Sequence, residues 1–517
     1  MRYIFTKSIV AISTLVLAAC GQTEEMERTV VPDGAVAGDF SSQPCTYKAR
    51  EVDYDAICGV MIVPENRNDP DSRMIALPVT RVLALTETPD EPVFWLTGGP
   101  GMSNMHLGHV SYYLDNHDVV LTGYRGVDGS EYLNCPEVDE ALGGELMSAS
   151  GLEGFGAAYR ACADRLTSEG LDTDGYTVLE VVDDVEAARI ALGYDRINME
   201  SASYGTRLAL IYDWRYPGNI LRNAMVAVNP PGRFWWDPEI LDSQLQRYGE
   251  LCAADDYCSS RTDDLAGLMS RVARDMPEHW LVFPVDSDRV LFSTFLALYQ
   301  TGSAAQVFDM WIAADEGDAS GFALMTAAFD MMIPAGFAWG DSGAKALSSD
   351  YDYVPGHDYV SETTPDPSII GSPANFLGWG SAAGWPANKI PQEYRQAQSS
   401  STRTLMLSGT LDVSTPFQTA RDQLLPLMEN AEQIVLAEAA HTGDLYYQNE
   451  DATQYMLSNF FDTGEIDASR FTDHAVNFRP SWGFPLIAKL GLAGVIIILI
   501  VLLLIMRWIF TLVRGRR

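Results

Sequence analysis

Basic residues are scarce in this sequence. Its 34 Lys and Arg stand against 70 Asp and Glu, which leaves a formal net charge of -36 with histidine neutral. A surface of that sign repels phosphate backbones and anionic lipid head groups, so nucleic-acid binding is excluded and the acidity is assigned to solubility. Cysteine at metal-ligand spacing is lacking too: none of the seven cysteines falls in a zinc-type pattern with the histidines, and no metal or other cofactor is expected. Internal repeats and long low-complexity tracts are missing, which removes solenoid architectures. What remains is ordinary globular composition, 47% hydrophobic and 20% charged over 517 residues. That is enough for one large domain with an insertion, or for two domains of usual size.

Long apolar runs occur only at the two ends. Arg2 and Lys7 precede the apolar stretch Ile9 to Leu17, and Leu17-Ala18-Ala19-Cys20 closes it. This pattern resembles a bacterial lipobox, so residues 1–20 are expected to be a lipoprotein signal, Cys20 the lipidated residue, and 21–44 a tether. At the other end Leu490 to Met506 is unbroken and apolar, followed by Arg507, Arg514, Arg516 and Arg517, with Lys489 alone closely before it. A helix of that run reaches roughly 25 Å, and Trp508 extends it towards the thickness of a bilayer. Residues 485–517 are therefore predicted to be a transmembrane helix with a basic, cytoplasmic tail. Everything before it then faces the periplasm, with the inner membrane as the anchoring bilayer. In such an oxidising compartment the six remaining cysteines are expected to pair in sequence order, Cys45 with Cys58, Cys135 with Cys162 and Cys252 with Cys258.

Between the ends, strand signals and helix signals alternate. Val60 to Val63, Met74 to Leu85, Pro92 to Thr97 and Asp118 to Thr122 read as strands, with Pro78 marking an edge or bulge. The third runs into Gly98-Gly99-Pro100-Gly101 and the fourth into Gly123-Tyr124-Arg125-Gly126. Val182 to Leu192 has helical spacing and stops at Gly193, Arg196 to Glu200 is a strand, Tyr204 to Trp214 a helix and Asn223 to Val228 the next strand. From 231 to 400 regularity gives way to aromatic, Met- and Gly-rich sequence, read as an inserted, mainly helical cap. Alternation returns with a strand at Thr404 to Leu407, a helix near Thr419 to Leu427, a strand at Gln433 to Leu436 and a helix near Ala452 to Phe461. The predicted architecture is an α/β-hydrolase fold: a mostly parallel sheet flanked by helices, built from 45–230 and 401–462, with 463–484 as a linker to the membrane.

The chemistry is carried by three separated residues. Ser203 lies in Ser201-Ala202-Ser203-Tyr204-Gly205 between a strand and a helix, where small neighbours permit the strained turn of a nucleophile elbow. Asp412 follows the strand that ends at Leu407, and His441 follows the strand at Gln433 to Leu436. Taken singly each is an unremarkable turn or surface residue; in the order Ser, Asp, His, at strand ends, they form a candidate triad of nucleophile, orienting acid and general base. His106 and His109 stand near the glycine cluster, where lining a pocket and a plain loop role are both open, and the loop role is preferred.

Val63-Pro64-Glu65-Asn66, Gly98-Gly99-Pro100-Gly101, Arg125-Gly126, Ser203-Tyr204-Gly205-Thr206 and the Asp412 and His441 segments are similar to those of the prolyl aminopeptidase and tripeptidyl aminopeptidase-like α/β-hydrolases. The resemblance runs from about Cys58 to His441. It implies hydrolysis of short peptides from the amino end, or of related amides and esters, and an oxyanion hole formed by the amides of Gly99 and Tyr204. It departs from the family where Thr97 replaces a histidine before the glycines, and where cap carboxylates that hold a free amine have no identifiable counterpart. Two other readings stand beside the peptidase: an esterase or amidase of the same fold, and a non-catalytic envelope binding protein.

Overall fold

The computed structural model describes residues 28–232, 236–386 and 388–514. The expected signal segment, Cys20, Arg516 and Arg517 lie outside the described residues. Eleven strands are described: β1 (Phe40–Ala49), β2 (Val52–Pro64), β3 (Met74–Val82), β4 (Asp90–Leu96), β5 (His117–Thr122), β6 (Ile197–Ala202), β7 (Ile220–Val226), the two-residue strands β8 (His279–Trp280) and β9 (Phe283–Pro284), β10 (Arg403–Gly409) and β11 (Ala431–Leu436). All but β8 and β9 form one sheet, in the order β1-β2-β3-β5-β4-β6-β7-β10-β11. Pairing is antiparallel from β1 through β3 to β5 and parallel from β5 across to β11.

Every residue of β5 and of β6 is buried, as in a sheet covered on both faces. Alternation decides which core each side chain joins. Phe94 and Leu96 of β4 pack with the helices Val178–Leu192 and Tyr204–Arg215 on one face. Val93 and Trp95 pack with Leu445, Met456, Leu457 and Phe460 on the other. Helix Val178–Leu192 is capped by the Thr177 side chain and ends on left-handed Gly193, the stop expected of that glycine. The sheet and its helices make the chain an α/β fold of the hydrolase type.

Three expectations need correction. Residues 40–44 are not tether: β1 begins at Phe40, pairs with β2 from Phe40 opposite Met61, and lays the Phe40 ring over Gly59. Pro78 is on an interior strand, but sits where β3 parts from β5. The β3–β5 ladder covers only Val79 to Val82, so the missing proline N–H costs no ladder bond to β5. The region Thr419 to Leu427 is not one regular helix; a short α turn, a π turn and a 3-10 turn succeed one another there, with Pro426 interrupting the last. The terminal helix spans Phe484–Arg514, as expected of residues 485–517, and its 31 residues make about 46 Å at the usual rise.

Between β7 and β10 the chain forms a succession of helices, including Ser287–Ala297, Ala304–Asp315, Ser320–Met332 and Trp339–Ser349. They share a core with Leu133, Phe155 and Tyr159, and reach the sheet through Leu411, Val413 and Ala440. The first turns of the terminal helix lie against Ala304–Asp315 and Ser320–Met332. There the Ser320 hydroxyl donates to the Pro485 carbonyl at 3.3 Å and Lys489 pairs with Asp318 at 2.5 Å. Residues Phe484–Thr511 are long and apolar enough to cross a membrane. Three disulfides close local loops: Cys45–Cys58, Cys135–Cys162 and Cys252–Cys258.

Candidate active site

β6 ends at Ala202 and the next residue turns sharply into helix Tyr204–Arg215. Ser203 has φ 52 and ψ -124, a conformation that costs a non-glycine residue roughly 1–3 kcal/mol. Its neighbours hold it there. The Ser203 amide donates to Val226 O at 2.9 Å, and the Ser203 carbonyl accepts from the Thr206 amide at 3.0 Å and the Thr206 hydroxyl at 2.7 Å. The same hydroxyl accepts from the Asn229 amide at 2.8 Å, which ties the elbow to the end of β7. Gly205 has no room for a side chain: an added Cβ would lie 2.2 Å from Leu96 O and 2.6 Å from Thr97 O. The turn thus brings the serine against the carboxyl end of β4, where the glycine loop begins.

Three loops converge on Ser203. His441 Nε2 is 2.9 Å from Ser203 Oγ, and His441 Nδ1 is 2.8 Å from Asp412 Oδ2. Asp412 is fully buried and accepts four hydrogen bonds' worth of donors. Its Oδ1 takes the Ser414 and Thr415 amides, both at 2.8 Å, and its Oδ2 takes the Thr415 hydroxyl at 2.7 Å besides the imidazole. Burial by itself would raise the Asp412 pKa, but attraction and hydrogen bonding from His441 and the Thr415 donors outweigh it, and the carboxyl is held below its ordinary value. The imidazole in turn packs against the Tyr299 ring at 4.9 Å, and its backbone amide donates to Tyr299 O at 3.0 Å. A residue of the segment between β7 and β10 thereby braces the imidazole.

The glycine loop is fixed by two buried side chains. Asn104 accepts from the Thr97 amide at 2.7 Å and donates to Trp95 O and Thr122 O, both at 2.9 Å. Asp341, paired with buried Lys345, accepts from the Gly101 amide at 3.0 Å. Gly99 at φ +70 adopts a turn that side-chain-bearing residues avoid. Gly99, Ser203, Tyr204 and His441 all line one cavity of about 910 Å³. Its walls are chiefly aromatic and aliphatic: Trp95, Tyr159, Trp236, Phe292, Phe295 and Trp339 among them. Asp444 is the one carboxylate among its described lining residues. Asp444 Oδ2 is already engaged by the Thr301 and Ala440 amides, both at 2.9 Å. His106 and His109, read above as loop residues, both line this cavity.

The two other segments of the family resemblance meet elsewhere. Arg125 is fully buried and donates to Pro64 O, Glu65 O and Gly175 O, and it pairs with Asp184 at 2.7 Å and Glu180 at 3.1 Å. Val63-Pro64-Glu65-Asn66 and Arg125-Gly126 are thus halves of one structural ion-pair network, which Arg67 completes through Glu180 and Asp184. Residues that sequence reasoning missed are Thr415 beside Asp412, and Glu200, a buried carboxylate three positions before the serine. A glutamate inside a strand with no polar periodicity was the available signal for Glu200.

An arrangement of this kind can remove the serine proton and store it on the imidazole while a carbonyl is attacked. Comparison with known proteins agrees in kind. The sequence pattern of the family described as TAP-like protein matches residues 374–473. A tripeptidyl aminopeptidase of Streptomyces lividans is 24% identical over 246 residues, 43% of this chain and 44% of that protein. A putative hydrolase of Escherichia coli strain K12, YuaR, is 27% identical over 179 residues, 32% of this chain and 35% of that one. The chain spans less than half the length of these relatives. Among solved structures, the proline iminopeptidase of Mycobacterium smegmatis aligns with 78% of this chain and 97% of its own, at 15% identity and a TM-score of 0.37. By its sheet order the chain has the fold of the α/β-hydrolases, and its residues 374–473 are similar to the TAP-like proteins.

Proposed function

We propose that this protein is a serine hydrolase that cleaves short peptides from the amino end through an acyl-enzyme. Ser203 Oγ attacks the scissile carbonyl, His441 takes its proton and returns it to the leaving amine, and Asp412 keeps the imidazole in the tautomer that accepts at Nε2. The Gly99 and Tyr204 amides receive the oxyanion. A water activated by the same histidine then releases the acyl group. The observation that carries this reading is the continuous line Asp412–His441–Ser203, with both links under 3 Å and the serine held in a strained turn on the cavity wall. Similarity to the tripeptidyl aminopeptidases supports peptides as the substrate class. The apolar walls favour peptides with hydrophobic side chains over charged ones.

A second reading, an esterase or amidase, is favoured by one feature: the only described carboxylate on the cavity wall, Asp444, already holds two backbone amides. Comparing aminoacyl arylamides, their N-acetylated forms and acyl esters separates the two. A fluorophosphonate probe tests the chemistry itself. It should label the wild-type protein at Ser203 and leave Ser203→Ala unlabelled; retained hydrolysis in that variant would remove the assignment. The long apolar helix and the disulfides support an exported enzyme anchored in the inner membrane with its site in the periplasm. Lipidation of Cys20 is proposed from the sequence pattern alone.

A further inference from the structure

Glu200 occupies the interior of β6 and is completely buried. A carboxylate in that position is costly, and an apolar residue of similar volume would satisfy the fold at least as well. Its contacts are specific. Glu200 Oε1 accepts from the Tyr446 hydroxyl at 2.9 Å and lies 2.9 Å from His109 Nε2. The His109 ring lies between the Tyr446 ring at 4.4 Å and the Tyr112 ring at 4.8 Å, with Trp95, Tyr113 and Tyr447 turned edge-on to it. Burial first, and then the Glu200 charge, hold the Tyr446 and Tyr113 phenols well above their usual pKa, so both remain neutral hydroxyls. His109 and Tyr446 line the cavity that contains Ser203 and His441.

The placement of these groups in the chain gives the cluster its meaning. Glu200 precedes the serine by three residues on the same strand. Tyr446 is in the short helix Thr442–Tyr447, which begins directly after His441. His109 belongs to the loop that leaves β4 through Gly99. The Glu200–Tyr446 bond and the Ser203–His441 bond therefore close a ring between β6 and the histidine helix, and His109 joins the glycine loop to the same carboxylate. Movement of the histidine helix relative to β6 therefore strains both bonds together. Resting on the serine-hydrolase reading, we infer that Glu200 is a positioning residue that sets the three catalytic segments in register, acting through Tyr446 on His441 and through His109 on the glycine loop. It touches neither substrate nor the reacting atoms.

The test uses the full-length protein in detergent or nanodiscs, with fluorophosphonate labelling and steady-state hydrolysis of whichever model arylamide or ester the wild type turns over. Glu200→Gln weakens the hub while keeping an acceptor. Tyr446→Phe removes one arm and keeps the stacked ring, so it remains informative if the first variant folds poorly. Tyr176→Phe removes a buried phenol that donates to Glu65 at 2.6 Å in the network around Arg125 and lines no part of the cavity. Misplacing a base by about 1 Å costs on the order of 100-fold. The expected result is a fall in kcat of about 10- to 100-fold for Glu200→Gln and Tyr446→Phe, with KM within about two-fold, matched by slower labelling. The double variant should be no slower than the worse single one, because both cut the same link. Tyr176→Phe should retain the wild-type kcat. Unchanged kcat in Tyr446→Phe, a change confined to KM, additive losses in the double variant, or an equal loss in Tyr176→Phe would each overturn the inference. A wild-type protein that is not labelled at all would instead overturn the serine-hydrolase reading.

Discussion

Replacing Asp412 with asparagine changes one atom, and the structure dictates where that atom must go. Asp412 Oδ1 faces two backbone N–H groups, from Ser414 and Thr415, each at 2.8 Å. An amide nitrogen placed there would set donor against donor twice, so the asparagine oxygen takes that position and its NH₂ takes the place of Oδ2. At that place it meets the Thr415 hydroxyl and His441 Nδ1, which were 2.7 and 2.8 Å from the carboxylate oxygen. The hydroxyl rotates to accept. The imidazole can accept only by giving up its Nδ1 proton, which moves the hydrogen to Nε2, where it points at Ser203 and blocks general-base catalysis. A wrong tautomer in an otherwise intact triad costs about 10⁴-fold in kcat, or roughly 5 kcal/mol of transition-state stabilisation. The fold should survive, because three of the four contacts can be remade. The assay is the second-order rate of fluorophosphonate labelling alongside arylamide or ester turnover, with circular dichroism and a melting curve to establish folding. A folded Asp412→Asn protein that keeps more than about a tenth of the wild-type rate would refute the assigned role of Asp412.

Other perturbations separate stability from chemistry. Asp139 is raised to about 6, chiefly by burial. Its folded pKa exceeds its unfolded one, so its contribution to stability is complete below about pH 4 and is lost as pH rises through 6. Asp139→Asn should therefore raise the denaturation midpoint at pH 8 and leave it unchanged at pH 4. The full linkage value of about 3 kcal/mol is cut to roughly 1 kcal/mol because the carboxyl is half exposed to solvent. Asp184→Ala strips the buried Arg125 guanidinium of its closest carboxylate and should destabilise the protein by about 3–5 kcal/mol, read in urea, while correctly folded molecules still react with the probe. Gly205→Ala drives a methyl group into the Leu96 and Thr97 carbonyls and should lose both folded yield and labelling, by about 3 kcal/mol or more on the same urea scale.

The three residues of the candidate triad were legible because their signals are local and ordered. A small-residue turn between strand and helix marked Ser203, and strand ends upstream of Asp412 and His441 marked the other two. Sheet strands announced themselves through apolar runs, yet β1 escaped. Its outward residues Ser41, Ser42, Gln43 and Pro44 look like a linker, and only pairing with β2 makes them a strand. Thr415 gave no signal, and Glu200 only that of a charge inside an apolar strand, for a different reason. Each acquires its role from a partner far off in the chain, and neither follows a spacing that periodicity can detect. The Glu65 and Arg125 segments were visible as motifs but silent about purpose, since only the fold shows that they bind each other and stand off the cavity lining.

The terminal helix grips the segment that roofs the cavity. Its docking partners, Ala304–Asp315 and Ser320–Met332, belong to the inserted helices, not to the sheet. A bilayer holding that helix would restrain these helices directly, and the sheet that carries Ser203 only through them.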